Sequence, residues 1–311
     1  MATTTKAPHA VPADHLTVSR RRRRHQTFVA WGFAAPFMAL FVVFLVVPVV
    51  SSLAMSFTDF RSSDVQTPLA VSFVGLEQYT ALFADPLFRR SLLNTALYVV
   101  LGIPLTMAVA LTLAIALNNG IGRFRTVFRV GFYTPVVTSI VAISVVWRFI
   151  LTDDGLLNAA LGLVGINGPD WLNDTTTALP ALIVMSVWRN MGTLMIIFLA
   201  GLQNVPREVL EAGEVDGAGA WRRLVSITLP TLRPTLLLGS VLLSVGFLQF
   251  FEEAYVMTGG GPLNSTLSIS YFIFNQFSFG RYGYAAAASY VLFLAIALLS
   301  LLQFRVLRTQ D

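Results

Sequence analysis

The side chains able to do chemistry are few and unevenly placed. Trp188, Arg189 and Asn190 stand together inside one long apolar run, and Gln249, Glu252 and Glu253 stand near the end of another. Charged and strongly polar residues in such runs are costly to bury and mark either a solute path or a contact between helices. Two readings stay open. In one, Trp188, Asn190 and Gln249 line a transient path, an indole face for stacking and amides for hydrogen bonding. In the other, Arg189 pairs with Glu252 or Glu253, or packs against a partner subunit, and holds a bundle together. Adjacent carboxylates, as at Asp153–Asp154 and Glu252–Glu253, diverge by about 100° on a helix and make poor acid–base pairs.

The missing residue types narrow the chemistry further. No cysteine is present, which removes disulfides, thiolate nucleophiles and zinc–thiolate sites. The histidines are His9, His15 and His25, so the body of the chain has no imidazole for proton transfer or metal binding. Lys6 is the sole lysine, and a phosphate-binding loop of the form G-x-x-x-x-G-K-[ST] is therefore impossible. No catalytic, cofactor or metal residue is assigned. If ATP is used, another chain hydrolyses it.

Composition says where the chain lives. Mean hydropathy is +0.71, and 12% of residues are charged against about 25% in soluble domains. At 311 residues one membrane domain with small loops is the expectation. A hydrocarbon core about 30 Å thick takes roughly 20 apolar residues per helical crossing. Six segments meet that: 28–50, 91–117, 130–151, 178–203, 234–257 and 283–304. They must be helical, because lipid offers no partner to an unpaired backbone group.

Arginine placement orients them. With the N-terminus inside, the inner segments hold Lys6, the arginines at 20–24, and Arg123, Arg125, Arg129, Arg207, Arg222, Arg223, Arg233, Arg305 and Arg308. The outer segments hold only Arg61, Arg89, Arg90 and Arg281. Both termini are thus expected in the cytoplasm. Residues 1–27 read as a basic, disordered tail that touches lipid headgroups, not nucleic acid. The six-helix body spans 28–306, and 307–311 form a short tail. The first apolar run exceeds the roughly 7–15 residues of a signal-peptide core and is expected to stay as an anchor. Arg148 reads as a snorkelling residue near the outer end of the third span.

Two outer loops carry more than a connection. In 51–90, Leu76, Tyr79, Leu82 and Phe83 recur at helical spacing, which predicts an amphipathic surface helix. In 258–282 a glycine-rich turn meets a group of aromatics. The stretch "DDGLLN" reads as a turn into a helix capped by an aspartate.

The longest inner loop, 204–233, is polar and broken by glycine. It reads as two short helices. Pro206 suits a first helical position, with Asn204 or its neighbour as cap. Glu208 and Glu211 complement the macrodipole. The segment 216–220 breaks the chain, and a second helix runs from about 218 to 228, before Pro230. Small residues on the first helix (Ala212, Gly213, Gly217) permit close approach of another protein surface.

The segment "EAGEVDGAGAWRRLVSITLP" resembles the EAA loop of permease subunits in binding-protein-dependent ABC importers, E-A-A-x-x-x-G-x9-I-x-L-P. Glu211, Ala212, Gly217, Ile227, Leu229 and Pro230 match in register, and Gly213 replaces the second alanine of that motif. The stretches "FVGLEQYTALFADPLFRRSLLNT", "YTPVVTSIVAISVVWRFILTDDGLLN" and "FEEAYVMTGGGP" are similar to segments of the carbohydrate, maltose-type branch.

The resemblance implies an all-α, multi-pass protein of the bacterial cytoplasmic (inner) membrane, with the type I ABC importer permease fold. The loop would couple to an ATPase through Glu208, Glu211, Ala212, Gly213, Asp216 and Gly217. Trp188, Arg189, Asn190, Gln249, Glu252 and Glu253 would line half of a path for a sugar or oligosaccharide. Implied partners are a second, similar permease, two copies of an ATPase subunit carrying ATP and Mg, and an extracytoplasmic binding protein docked on 51–90 and 258–282. Which sugar is carried is not readable. An ion-coupled secondary transporter would explain the spans but not the 211–230 pattern. A membrane enzyme acting on lipid-linked sugar lacks convergent catalytic groups.

Overall fold

The computed structural model describes residues 20–67, 71–119 and 124–307; Lys6, His9, His15, Arg123, Arg308, residues 1–19 of the basic tail and most of the C-terminal tail lie outside these. Every regular element among the described residues is helical. The chain divides into two compact units, one up to Ala54 and one from Met55 onward.

In the first unit, α1 (Arg20–Phe41) continues through a π-helical turn at Val42–Val46 into α2 (Val47–Met55). Helix therefore begins inside the segment 1–27 read as a disordered tail. The arginines at 20–24 are good helix formers that an adjoining apolar helix can extend into. Val29–Met55 is apolar enough to cross a membrane.

The second unit holds α3 (Glu77–Ala84), α4 (Pro86–Asn119), α5 (Arg125–Val137), α6 (Ile140–Ile150), α7 (Leu156–Gly162) and α8 (Ala178–Gln203). Then come α9 (Arg207–Val215), α10 (Ala220–Arg223), α11 (Leu229–Thr231), α12 (Arg233–Leu248), α13 (Ile269–Ser278) and α14 (Tyr282–Leu307). α8 is central. Its most apolar stretch is 61% buried, against 33% for α4 and 28% for α14. Met185, Leu194, Met195 and Phe198 form its buried face, with Tyr98 and Phe88 of α4 in the same cluster. α5 lies so close to α8 that a Cβ on Gly192 would collide with the Phe132 carbonyl, the small-residue contact that membrane helices use in place of a hydrophobic drive.

The long spans α4, α8 and α14 fall where the apolar runs put them. The third and fifth do not run as single rods. Segment 130–151 is α5 and α6, bent by 100°. Pro135 lacks an N–H, Thr138 and Ser139 leave the helical region, and the Thr138 hydroxyl donates to the Thr134 carbonyl at 2.9 Å, pairing a carbonyl in the helix's last turn. Segment 234–257 is α12, then a break at Gln249–Phe251, then a π-helical turn at Ala254–Thr258. The bent pairs are α5 with α6 and the 220–231 stretch with α12, the latter at 71°; taking each as one span gives up to six crossings by length and composition. The helix after "DDG" is capped at Gly155, with no side-chain bond, rather than by an aspartate: α7 starts two residues beyond Asp154. The outer helix α3 is where its apolar spacing put it, with Leu82 buried.

Candidate functional site

The inner loop is built as two helical pieces set against each other. α8 stops at Asn204, Val205 is buried, and Pro206 stands as the N-cap of α9 in extended conformation. This corrects the expected first-turn place for Pro206 by one residue; its ring fixes φ but leaves ψ extended. Glu208 lies in the first turn. Along α9 only Leu210 and Gly213 turn partly inward. Glu208, Glu211, Ala212 and, beyond the helix end, Asp216 and Gly217 are exposed.

The end of α9 explains the motif glycine. Gly217 has φ +76; its N–H bonds the Glu214 carbonyl at 3.0 Å, and the Ala218 N–H reaches back to the Gly213 carbonyl at 2.9 Å. These are the paired bonds of a Schellman termination, which needs a left-handed residue at this place. The chain then enters α10 and a π-helical turn, Leu224–Thr228. Arg223 of α10 pairs with Glu214 at 2.5 Å. A Cβ on Gly213 would lie 2.9 Å from the Cδ1 of Ile227, another motif residue. The glycine that departs from the motif thus makes room for the isoleucine that keeps it. Beneath α9 a cavity of about 470 Å³ is lined by Ile115, Leu202, Val205, Leu210, Trp221 and Leu224, among others.

The intramembrane candidates also converge. Arg189 and Asn190 from α8 and Gln249, Glu252 and Glu253 from the break after α12 line one cavity of about 310 Å³. Tyr98, Phe247 and Phe250 complete much of its wall. Trp188 is not among its lining residues; its ring packs on Trp147 at 5.6 Å. Glu253 is buried, and its Oε1 accepts from the Ser186 hydroxyl at 3.3 Å. Ser186 also bonds the Tyr98 hydroxyl, and the Tyr98 ring stacks on Phe250 at 3.8 Å. Glu253 Oε2 and Arg189 Nε are buried without a partner. Arg223–Glu214 is the one ion pair among the described residues, so Arg189 bonds neither glutamate. Tyr98, Ser186 and Phe250 were not singled out in the sequence: each sits in an apolar run, and only folding brings it to the polar residues.

On the other end of the unit the two outer loops meet. The Ser62 N–H donates to the Gly280 carbonyl at 2.8 Å, the Gly283 N–H to Phe60 at 2.9 Å, and the Tyr284 hydroxyl to Asp85 at 3.1 Å. Asp59, Arg61, Gln78, Asp85, Arg281 and Tyr284 line a polar cavity of about 450 Å³ between them. In the α7–α8 connection, the N–H and hydroxyl of Thr176 both donate to Asp174 and hold its carboxyl below the usual range.

An exposed, glycine-terminated α9 and a polar cavity among apolar spans are the features to compare with known proteins. Residues 20–309 match the family described as binding-protein-dependent transport system inner membrane component. The chain belongs to that family. The lactose transport system permease protein of Rhizobium radiobacter is 37% identical over 288 residues, covering 91% of this chain and 95% of its own. An arabinooligosaccharides transport system permease protein of Bacillus subtilis is 34% identical over 283 residues, covering 88% and 86%. A bacterial alginate ABC transporter crystallised with a pentasaccharide-bound periplasmic protein has a chain of the same fold, with a TM-score of 0.76 at 22% identity, covering 94% of this chain and 99% of its own. The protein is a multi-pass membrane permease subunit of an ABC importer.

Proposed function

We propose that this permease forms half of an inner-membrane path for a sugar or short oligosaccharide, and that α9 is the element through which a separate ATPase drives it. The observation that carries the reading is α9 itself, a helix held inward by Leu210 and Gly213 alone and offering Glu208, Glu211 and Ala212 to another surface. The polar cavity supports the solute class: amides at Asn190 and Gln249, aromatic faces at Tyr98 and Phe250, and unspent hydrogen-bonding capacity on Arg189 and Glu253. Relatives named for lactose and arabinooligosaccharides support it as well.

ATP and Mg sit on the partner ATPase, two copies of which bind inside, because the sole lysine of this chain is Lys6 and no phosphate-binding loop can form. A second, similar permease completes the path. A binding protein docks on the joined outer loops at 51–90 and 258–282. Closure of the ATPase pair pulls α9, and the spans tilt between inward- and outward-open states as rigid bodies. ATP binding drives that change only to the extent that the ATPase favours one state.

Co-purification from the native membrane tests the reading. It should bring down an ATPase, a second permease and a binding protein, and ATP hydrolysis by the reconstituted complex should rise with a loaded binding protein. Uptake driven by an ion gradient without ATP would overturn it.

A further inference from the structure

Beyond the intramembrane cavity, the segment that follows the α12 break lines a second one. Arg148, Thr152, Asp153, Asp170, Asn173 and Tyr255 face a cavity of about 340 Å³, closed on one side by the chain from Tyr255 to Gly259. Glu252 of the inner cavity and Tyr255 of the outer one are three residues apart, about 4.5 Å along a helical axis.

The outer wall is held in place. Asn158 donates to the carbonyls of Asp153 at 3.1 Å and Pro169 at 3.2 Å, and accepts from the Trp171 indole at 2.7 Å. Asn173 donates to both oxygens of Asp170, at 3.1 and 3.0 Å. Arg148, in the last turn of α6, makes no ion pair with either aspartate, so its guanidinium is free for a ligand. Tyr255 is half exposed, its ring stacked on Phe251 at 5.3 Å. A guanidinium, two carboxylates, an amide and an exposed phenol ring are the groups that bind vicinal hydroxyls and a pyranose face.

We infer that this outer cavity is a second saccharide subsite, which holds the trailing sugar residue of an oligosaccharide whose leading residue occupies the cavity at Gln249 and Glu253. The inference rests on the sugar reading above and adds chain-length preference to it. Arg148 is then a recognition residue rather than one that reaches for headgroups.

The test uses the full importer complex in proteoliposomes with its binding protein, and uptake of labelled saccharides of one to five residues built on lactose, arabinose and N-acetylglucosamine. Arg148→Gln and Asp153→Asn should lower uptake of the tri- to pentasaccharides about tenfold relative to the mono- and disaccharides, the weight of a hydrogen bond to a charged group. Gln249→Ala should lower uptake of all lengths alike. Stimulation of ATP hydrolysis by the binding protein loaded with a monosaccharide should not change in either outer variant. An equal fall at every length would overturn the inference, as would unchanged uptake. Loss of ATPase stimulation together with weaker binding-protein capture would make this surface a protein-docking site instead. Failure of the unaltered complex to import any saccharide would take down the sugar reading, and this inference with it.

Discussion

Gly213 lies on α9 and Gly217 just past its end, and they answer to different physics. Gly217 sits at φ +76, where a Cβ costs about 1–2 kcal/mol. Substitution should follow the order Asn, then Ala, then Val in severity, because asparagine tolerates that region. A loss of that size changes a population by about 5–30-fold, and retention of the ATPase on purified complex should fall accordingly. Gly213 has ordinary helical geometry, and only the tip of Ile227 stands in the way of a side chain. Gly213→Ala should be close to neutral. Combined with Ile227→Val, it should raise the thermal midpoint of the complex by recovering part of the roughly 1 kcal/mol that glycine costs a helix interior. Glu253 is a third case. Its Oε2 is buried and unpaired, a state maintained at the expense of stability. Glu253→Gln should raise the thermal midpoint while lowering sugar uptake, the trade expected where a site is kept strained for use.

At the scale of elements, most of the helices were legible because each was a long apolar run between polar ends, as with α4, α8 and α14. The inner loop was legible because glycine and proline punctuate it, and the two helices found there, α9 and the α10–α11 stretch, fall within a few residues of their expected places. What was not legible were the interruptions. In "TPVVTSI" Pro135 permits but does not dictate the 100° bend between α5 and α6, and nothing in "SVGFLQF" shows that α12 ends at Leu248, since apolar composition is the same for a straight and a broken span. The cavity partners Tyr98 and Ser186 were hidden for the same reason: their distance in sequence from Glu253 exceeds any helical period. The break does predict something. Gln249 stands there at φ −100 and ψ 14, so Gln249→Ala removes a cap-region amide without opening a regular helix. The complex should assemble normally with uptake reduced, and normal uptake would remove Gln249 from the path.

For the whole molecule, charge is the informative quantity. The inner cavity sets one guanidinium, Arg189, against the carboxylates of Glu252 and Glu253, and the outer cavity sets Arg148 against Asp153 and Asp170. Counted by residue type, each holds one more acidic than basic side chain. An acidic saccharide 8 Å from the unbalanced carboxylate meets a repulsion of about 2 kcal/mol at an effective dielectric of 20, roughly a 30-fold penalty. Uptake of a uronate-bearing disaccharide should therefore trail its neutral counterpart by about that factor, measured at saturating binding protein. Equal rates would show that the partner permease supplies compensating cations.

α12 has a further consequence. It is 16 residues long, about 24 Å at 1.5 Å per residue, and both its ends fall at backbone breaks, Leu232 on the loop side and Gln249 on the cavity side. Between those breaks the rod is regular helix, tied to α14 by the Gln303 amide, which donates to the Ser240 carbonyl at 3.4 Å. In the coupling proposed above, force applied at Leu232 would be delivered to Gln249 along a single rod, so a docking event at one face of the bilayer would be felt deep within it.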